Sequence, residues 1–599
     1  MRSSGGAEPR KRKNLSELMY FAGKYRFLTY ASWLFSAASA LMALVPFVYI
    51  WLIIRNVVQA EGDYSHAAQL AHYGWMALLF AVLSMLVYFG ALMCSHLSAF
   101  RVASNLRRAA LDRVVRLPSG FTAHMGSGKI RRIINESSGA TETYLAHQLP
   151  DMVGAFITPA GLIALLFVFD WMLGLLSLLP TLLAFIVMAR MTGKRMAESM
   201  RQYQDALDAM NNEAVEYVRG IPVVKTFGQT VYSFRRFKGT IDGYGHWVID
   251  YTRQLRLPMV IFTTLINGVF AVLIAAALAV TGRGVTDPAF LLNLLFYIIF
   301  TPILAVTLNR IMFMSENNMI VNDALNRIHL ILDAQPLPEP VSPVHPADGS
   351  VQFENVSFRY PGAERDALCG ISLHAQAGQT VALVGPSGGG KTTAASLVAR
   401  FWDVTQGSVR VGGADVRDIP KRELADTVAC VFQESVLLKT SVFENVRLGK
   451  PEATRAEVVA ALHAAQCDDI LAKLPQGMDT VIGSKGVYLS GGEQQRIAIA
   501  RVMLKDAPVI VLDEATAFAD PENEALVQRA FERLAAGRTV LMIAHRLTTV
   551  RNADRICVLK DGRICEEGTH GALVARGGVY AAMWQEYQRS VSWKVGGEE

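Results

Sequence analysis

The run Gly385-Pro386-Ser387-Gly388-Gly389-Gly390-Lys391-Thr392 can hold a chain of phosphates. It fits the pattern G-x-x-x-x-G-K-[ST], the P-loop. Gly385, Gly388 and Gly390 free the backbone to wrap an anion, and the loop N–H groups, that of Ser387 among them, can point inward as a nest. Lys391 can reach the β- and γ-phosphates, and the Thr392 hydroxyl, with Thr393 behind it, can ligate Mg²⁺. Two further groups fit the same chemistry. Asp513 and Glu514 close an apolar run, Val509-Ile510-Val511-Leu512. The first carboxylate can hold Mg²⁺ through water, and the second can orient or deprotonate a water attacking the γ-phosphate. Ser490-Gly491-Gly492 is another phosphate-shaped turn ahead of a helical stretch. Each signal has a plainer reading when taken alone: a glycine-rich turn, two solvated acids at a strand end, and a helix N-cap.

These groups need rigid elements to aim them. Thr380-Val381-Ala382-Leu383-Val384 reads as a buried strand and Thr393 to Arg400 as a helix. Strand, glycine loop and helix form the context that the phosphate pattern requires. Short β-rich runs such as Val351-Gln352-Phe353 and Ser408-Val409-Arg410-Val411 alternate with helical stretches, which predicts an α/β unit.

The first half has a different texture. The chain has 599 residues, too many for one ordinary domain, and 52% are hydrophobic. Apolar stretches of membrane-spanning length run near Phe27 to Val58, Trp75 to Leu97, Met152 to Phe169, Trp171 to Met191, Val260 to Thr281 and Ala289 to Ile311. The segments after the second and fourth are long, basic and helical in pattern, whereas Glu61 and Asp63 are the charges between the first two. Positive-inside then predicts a cytoplasmic N-terminus and cytoplasmic long segments. Arg55 and Arg283 run against the rule without reversing it. Gly126-Ser127-Gly128 and Gly220-Ile221-Pro222 are turn signals within the inner segments, and the proline-rich stretch from Asp333 to Pro343 reads as an extended linker. The 6 Cys are scattered without a C-x-x-C pair, which suggests neither a zinc site nor a disulfide framework. The net charge of +6 does not argue for a nucleic-acid partner. No cleaved signal peptide is read at the N-terminus.

The order of P-loop, Gln433, Leu489-Ser490-Gly491-Gly492-Glu493, Leu512-Asp513-Glu514 and His545 resembles the ATP-binding cassette transporters, over nearly the whole chain. The resemblance implies a multi-domain protein: an all-α six-helix transmembrane domain over residues 1–335, a linker over 336–350 and an α/β P-loop nucleotide-binding domain over 351–599. It implies ATP and Mg²⁺ as ligands. Tyr360 matches the aromatic that stacks on adenine, with a strand aromatic in the core as the alternative. Gln433 matches the residue that senses Mg²⁺ and the membrane domain, Glu514 the catalytic base and His545 the switch histidine. In this family the Ser490 turn faces the P-loop of a second cassette, so one set of spans and one cassette imply a half-transporter that pairs with a copy of itself or a related chain. Asp520 is kept in the following loop, where Phe518 departs from the family's leucine, and Ser484 stands where exporters often carry a glutamate before Lys485. Short coupling helices are expected near Phe121 to Arg132 and near Pro222 to Gln229. A bacterial inner membrane is the implied location, with the cassette on the cytoplasmic side.

For cargo, the segments from Gly128 to Ile134 and from Ala146 to Asp151 look similar to paired half-transporters that import iron–siderophore complexes. Export of a lipid, drug or peptide is the alternative, and an ATP-gated channel a remote one. A soluble cassette ATPase is excluded by the spans. Polar or kinking residues at the spans, namely His96, His147, Asp151, Pro159, Asn267, Asn293, Pro302 and Asn309, are the candidate pathway groups. His147 and Asp151 lie one helical turn apart and can instead pair with each other. The aromatic residues Phe296, Tyr297 and Phe300 read as packing.

Overall fold

The computed structural model describes residues 14–60, 69–191, 194–226, 235–282, 288–432, 436–483, 487–513, 521–544 and 547–592. Its contacts divide the chain into two units, with the break after Ala334. Arg116–Ser127 groups with the second unit although it interrupts the first.

The first unit is helical: α1 (Asn14–Ala22), α2 (Arg26–Met42), α3 (Val45–Gln59) and α4 (Gln69–Arg116) come before the insertion. The insertion carries α5 (Ser119–Met125). The unit resumes with α6 (Ser127–Thr143), α7 (Leu149–Phe169), α8 (Trp171–Met191), α9 (Lys194–Thr226), α10 (Arg235–Thr281) and α11 (Pro288–Leu332). Among the described residues, 6 stretches are long and apolar enough to cross a membrane, and they contain the six expected spans to within a residue at Thr281. The first is divided between α2 and α3, where Pro46 sits in the first turn of the new helix. Thr29, Ser32, Ser36 and Ser39 recur at helical spacing on α2 and are all buried. Small hydroxyl residues let two helix backbones approach closely in an apolar medium. Thr29 meets Ser98 of α4 at 2.7 Å, and Ser39 donates to the Ser84 carbonyl at 2.8 Å.

Two turn expectations divide. Gly126 has φ 78 and separates α5 from α6, so within the stretch expected as a first coupling helix the short helix ends at Met125, and residues 127–132 already belong to a long helix. Gly220-Ile221-Pro222 does not break the chain, because α9 continues to Thr226 with Pro222 inside it. Near a helix end, proline forfeits one hydrogen bond without ending the element. Residues 227–229 of the second expected coupling helix lie outside the described residues.

In the second unit a four-stranded antiparallel sheet has the order β2-β1-β4-β5, from β1 (Val351–Phe358), β2 (Leu368–Ala375), β4 (Gln406–Val411) and β5 (Ala414–Asp415). A six-stranded sheet has the order β10-β9-β3-β8-β7-β6. Here β3 (Thr380–Val384), β6 (Val428–Val431), β7 (Val509–Asp513), β8 (Thr539–Ile543) and β9 (Arg555–Lys560) run parallel, and β10 (Arg563–Gly568) closes the edge antiparallel. All five residues of β7 are buried, as expected of a parallel strand covered on both faces. Helices α12 (Lys391–Val398), α13 (Lys421–Thr427), α14 (Val442–Arg447), α15 (Arg455–Ala464), α16 (Asp468–Lys473), α17 (Gly491–Lys505), α18 (Pro521–Ala535), α19 (His570–Arg576) and α20 (Val579–Ser592) complete the unit. The proline-rich linker is tied down: the Arg400 guanidinium donates to the Pro338 carbonyl at 3.1 Å, and the Val344 amide donates to the Asp418 carbonyl at 2.9 Å.

Candidate functional site

The glycine loop lies between β3 and α12, at the carboxyl end of a parallel strand, where ligands of open α/β sheets bind. Gly385 has φ 137, and a Cβ there would stand 2.1 Å from the Leu559 carbonyl oxygen of β9. Gly390 caps α12 with φ 98 and would bring a Cβ within 2.7 Å of the Ala367 carbonyl. Both positions are glycine for conformation and for space. The Lys391 ammonium folds back over the loop, donating to the carbonyls of Gly385 at 2.8 Å and Pro386 at 3.0 Å. Burial lowers its pKa, and the nearby Asp513 charge opposes that shift.

Thr392 and Asp513, from two elements more than a hundred residues apart, line one cavity of about 270 Å³. Asp513 ends β7, one strand removed from β3 in the sheet, and is 7% exposed. A hydroxyl and a carboxylate lining one cavity are hard-oxygen donors of the kind Mg²⁺ takes. Helix α5 forms another wall with Gly120 and His124, beside Trp402 and Cys430. A Cβ on buried Gly120 would lie 2.2 Å from the Trp402 ring. Burial pushes the Cys430 thiol up to about 12. Tyr360 is half-buried, packs edge-on against Phe358 and Trp402, and shares a 2.9 Å hydrogen bond with the Thr393 hydroxyl. Its ring thus packs against the hydrophobic core and also lines the cavity.

Ser490 is the N-cap of α17 in a full capping box: its hydroxyl accepts from the Glu493 amide at 3.3 Å, and Glu493 accepts from the Ser490 amide at 2.8 Å. A Cβ on Gly491 would meet open space. The turn is therefore a built helix start with an open approach, and Gly492 is buried beneath it. Behind it, Arg496 is fully buried and spans α16 to α18, donating to Asp469 at 2.7 and 3.0 Å and to Asn523 at 2.9 Å. The sequence reading missed Gly120, Trp402 and Arg496. Only a glycine following Pro118-Ser119 hinted at the first. Gln433, Glu514, Asp520 and His545, with the departures at Ser484 and Phe518, lie outside the described residues.

In the membrane unit His147 and Asp151 have other partners than each other. Tyr144–Gln148 is a π-helical turn, which alters the one-turn spacing between them. The Asp151 carboxylate accepts from Tyr88 of α4 at 2.6 Å, and the His147 ring stands edge-on to His96 with centroids 4.6 Å apart. Asn267 and Asn309 bond carbonyls of their own helices, whereas Asn293 reaches the Phe169 carbonyl at 3.3 Å. Phe296, Tyr297 and Phe300 are buried in the helical core, as packing residues.

A family model described as ABC transporter matches residues 368–517, and one described as ABC transporter transmembrane region matches residues 29–303. The mycobactin import ATP-binding/permease protein IrtA of Mycobacterium tuberculosis is 37% identical over 93% of this chain, which spans 64% of that protein's length. For its counterpart in Mycolicibacterium thermoresistibile the figures are 36%, 92% and 60%. The chain thus covers less than two thirds of these relatives. The ATP-dependent lipid A-core flippase of Chromobacterium violaceum is 34% identical over 81% of this chain and 82% of its own length. A solved structure of a bacterial Atm1-family ABC exporter with ATP bound superposes with a TM-score of 0.68 at 26% identity, over 94% of this chain and 98% of that one.

Proposed function

This chain belongs to the ABC transporters, and from that premise we propose that it is an ATP-hydrolysing half-transporter that works as a dimer and moves a cargo across a membrane. The observation that carries this is the convergence of Thr392 and Asp513 on one cavity beside the glycine loop, in a chain whose described residues also include 6 stretches long and apolar enough to cross a membrane. Loop amides from Gly385 to Thr392 bind the phosphates of ATP, and Lys391 swings from its loop carbonyls onto the terminal phosphates. Thr392, Asp513 and Gln433 would hold Mg²⁺, which when bound neutralises charge that develops on the phosphates. Glu514 takes the proton of the attacking water, and His545 contacts the γ-phosphate. Ser490, Gly491 and Gly492 close on the partner's nucleotide through the open approach at Gly491, and Asp520 belongs to the same set of nucleotide-binding residues. The cassette faces the cytoplasm, following the positive-inside pattern.

Export is the direction supported better, by the likeness to an Atm1-family exporter and to lipid A-core flippases over most of their length. Ferric-siderophore import is the second reading, favoured by 37% identity to a mycobactin import protein. Inverted vesicles with cassettes outward separate the two. ATP-driven accumulation of a lipid or drug supports export; ATP-driven expulsion of preloaded ferric siderophore supports import. A Glu514→Gln chain run in parallel must abolish either movement, and continued movement would remove ATP hydrolysis as the drive.

A further inference from the structure

A second cavity, of about 300 Å³, lies wholly inside the membrane unit. Its walls come from four helices: Ser36 and Ser39 of α2, Ser84 and Tyr88 of α4, Asp151 of α7 and Arg310 of α11. Polar groups at membrane depth mark pathways or binding sites by default. The donors and acceptors here are unevenly shared. Ser36 donates its proton to the Pro150 carbonyl at 2.6 Å, Ser39 to Ser84 at 2.8 Å and Ser84 to Ala81 at 2.8 Å. Each hydroxyl is thereby left with lone pairs only to offer the cavity. Tyr88 spends its proton on one oxygen of Asp151, so the other oxygen remains an acceptor. Arg310 is the single group on these walls whose donors are of fixed positive charge. Among the described residues no ion pair joins Arg310 to Asp151, although they line the same space.

We propose that this cavity is a binding site for a zwitterionic headgroup, with a phosphate or carboxylate at Arg310 and an ammonium among Asp151 and the serine hydroxyls. It deepens the transport reading and rests on it for the claim that the bound group is cargo. A singly charged ligand leaves the site's group of its own sign without a partner, Asp151 for an anion and Arg310 for a cation, and uncompensated charge in a medium of low polarity is costly. The volume is at the low end for ligand cavities, which suits a headgroup rather than a whole amphiphile.

The test uses the full chain in nanodiscs and reads bound lipid by native mass spectrometry, with soluble O-phosphoethanolamine as competitor. Wild type should retain phosphatidylethanolamine in preference to phosphatidylglycerol by about tenfold or more. Asp151→Asn should remove that preference, and Arg310→Gln should weaken both lipids. Arg310→Lys keeps the charge, so it should keep the preference and guards against a variant that merely fails to fold. Displacement by the soluble compound assigns the site to free zwitterions; retention against it assigns the site to lipid headgroups. Equal retention of both lipids by wild type, or wild-type preference in Asp151→Asn, overturns the proposal. Cargo movement is measured separately on wild type, so its absence counts against the transport reading and leaves the binding result standing.

Discussion

The cassette and the membrane unit arrange polar groups by opposite means. In the cassette a single loop of consecutive residues supplies most of the phosphate cradle, and its shape is enforced by backbone conformation at Gly385 and Gly390. In the membrane unit Ser36, Tyr88, Asp151 and Arg310 each come from a different helix, and the helices are held together by hydroxyl-to-carbonyl bonds. The first design binds a ligand of fixed geometry and tolerates little change. The second can alter cargo preference one side chain at a time while the scaffold stays put, which suits a family whose members carry different substrates.

The largest expected break in this comparison is chemical. If Glu514 activates the attacking water as proposed, Glu514→Gln should lower ATP turnover by about 10²–10⁴-fold while nucleotide binding persists. Near-normal steady-state hydrolysis in the purified variant would take Glu514 out of the role. Next comes a steric test of the cassette's rigidity. Gly120→Ala drives a methyl into the Trp402 ring, and Trp402→Ala reopens the space. The double variant should be less damaged than the two single effects combined, with a coupling of about 1–3 kcal/mol in thermal or denaturant unfolding. Simple additivity would mean that α5 does not press on that ring.

A smaller effect is expected at the start of α17. Ser490→Ala removes one arm of the capping box and should cost about 1 kcal/mol of cassette stability. An unchanged denaturation midpoint would show that the cap contributes nothing. The last effect is absent at neutral pH and appears only in alkali. Burial pushes the thiols of Cys430, Cys467 and Cys557 from 9.0 up to about 12. The folded cassette therefore favours their protonated forms. That contribution is intact below pH 9 and is lost as pH rises through 12, so the melting temperature should fall in that window. Replacing the three with alanine should flatten the fall, and an equally steep fall in that variant would assign it to other groups.

The same contrast explains what the sequence made legible. The phosphate loop could be read because its chemistry is contiguous, and Asp513 because it ends an apolar run of strand length. The six spans were readable because hydrocarbon thickness imposes a length on apolar sequence. The membrane cavity had no such signature. Asp151 stood out as an intramembrane charge, but nothing in spacing links it to Tyr88, 63 residues earlier, or to Arg310. His147 and Asp151 were offered as a pair on α-helical geometry, and the π-helical turn at Tyr144–Gln148 removes that premise. Gly120 escaped notice for a related reason. Its need for a missing Cβ is set by Trp402, far along the chain. At Pro222 local propensity was overridden, since the helix carries through it.

The segment from Arg116 to Ser127 also bears on how the molecule is made. Synthesis proceeds from the N-terminus at about 5–20 residues per second. Gly120 must therefore wait roughly a quarter of a minute to a minute for Trp402 to emerge. Throughout that interval α5 is a seven-residue helix without its docking surface, far shorter than the length at which an isolated helix persists in water. The first unit can insert and pack during translation, but this segment lacks its contact with Phe401 and Trp402 until those residues are made. Biogenesis then has a late checkpoint built into an early stretch of chain: a ribosome that stops short of the cassette leaves an open loop for a protease to find.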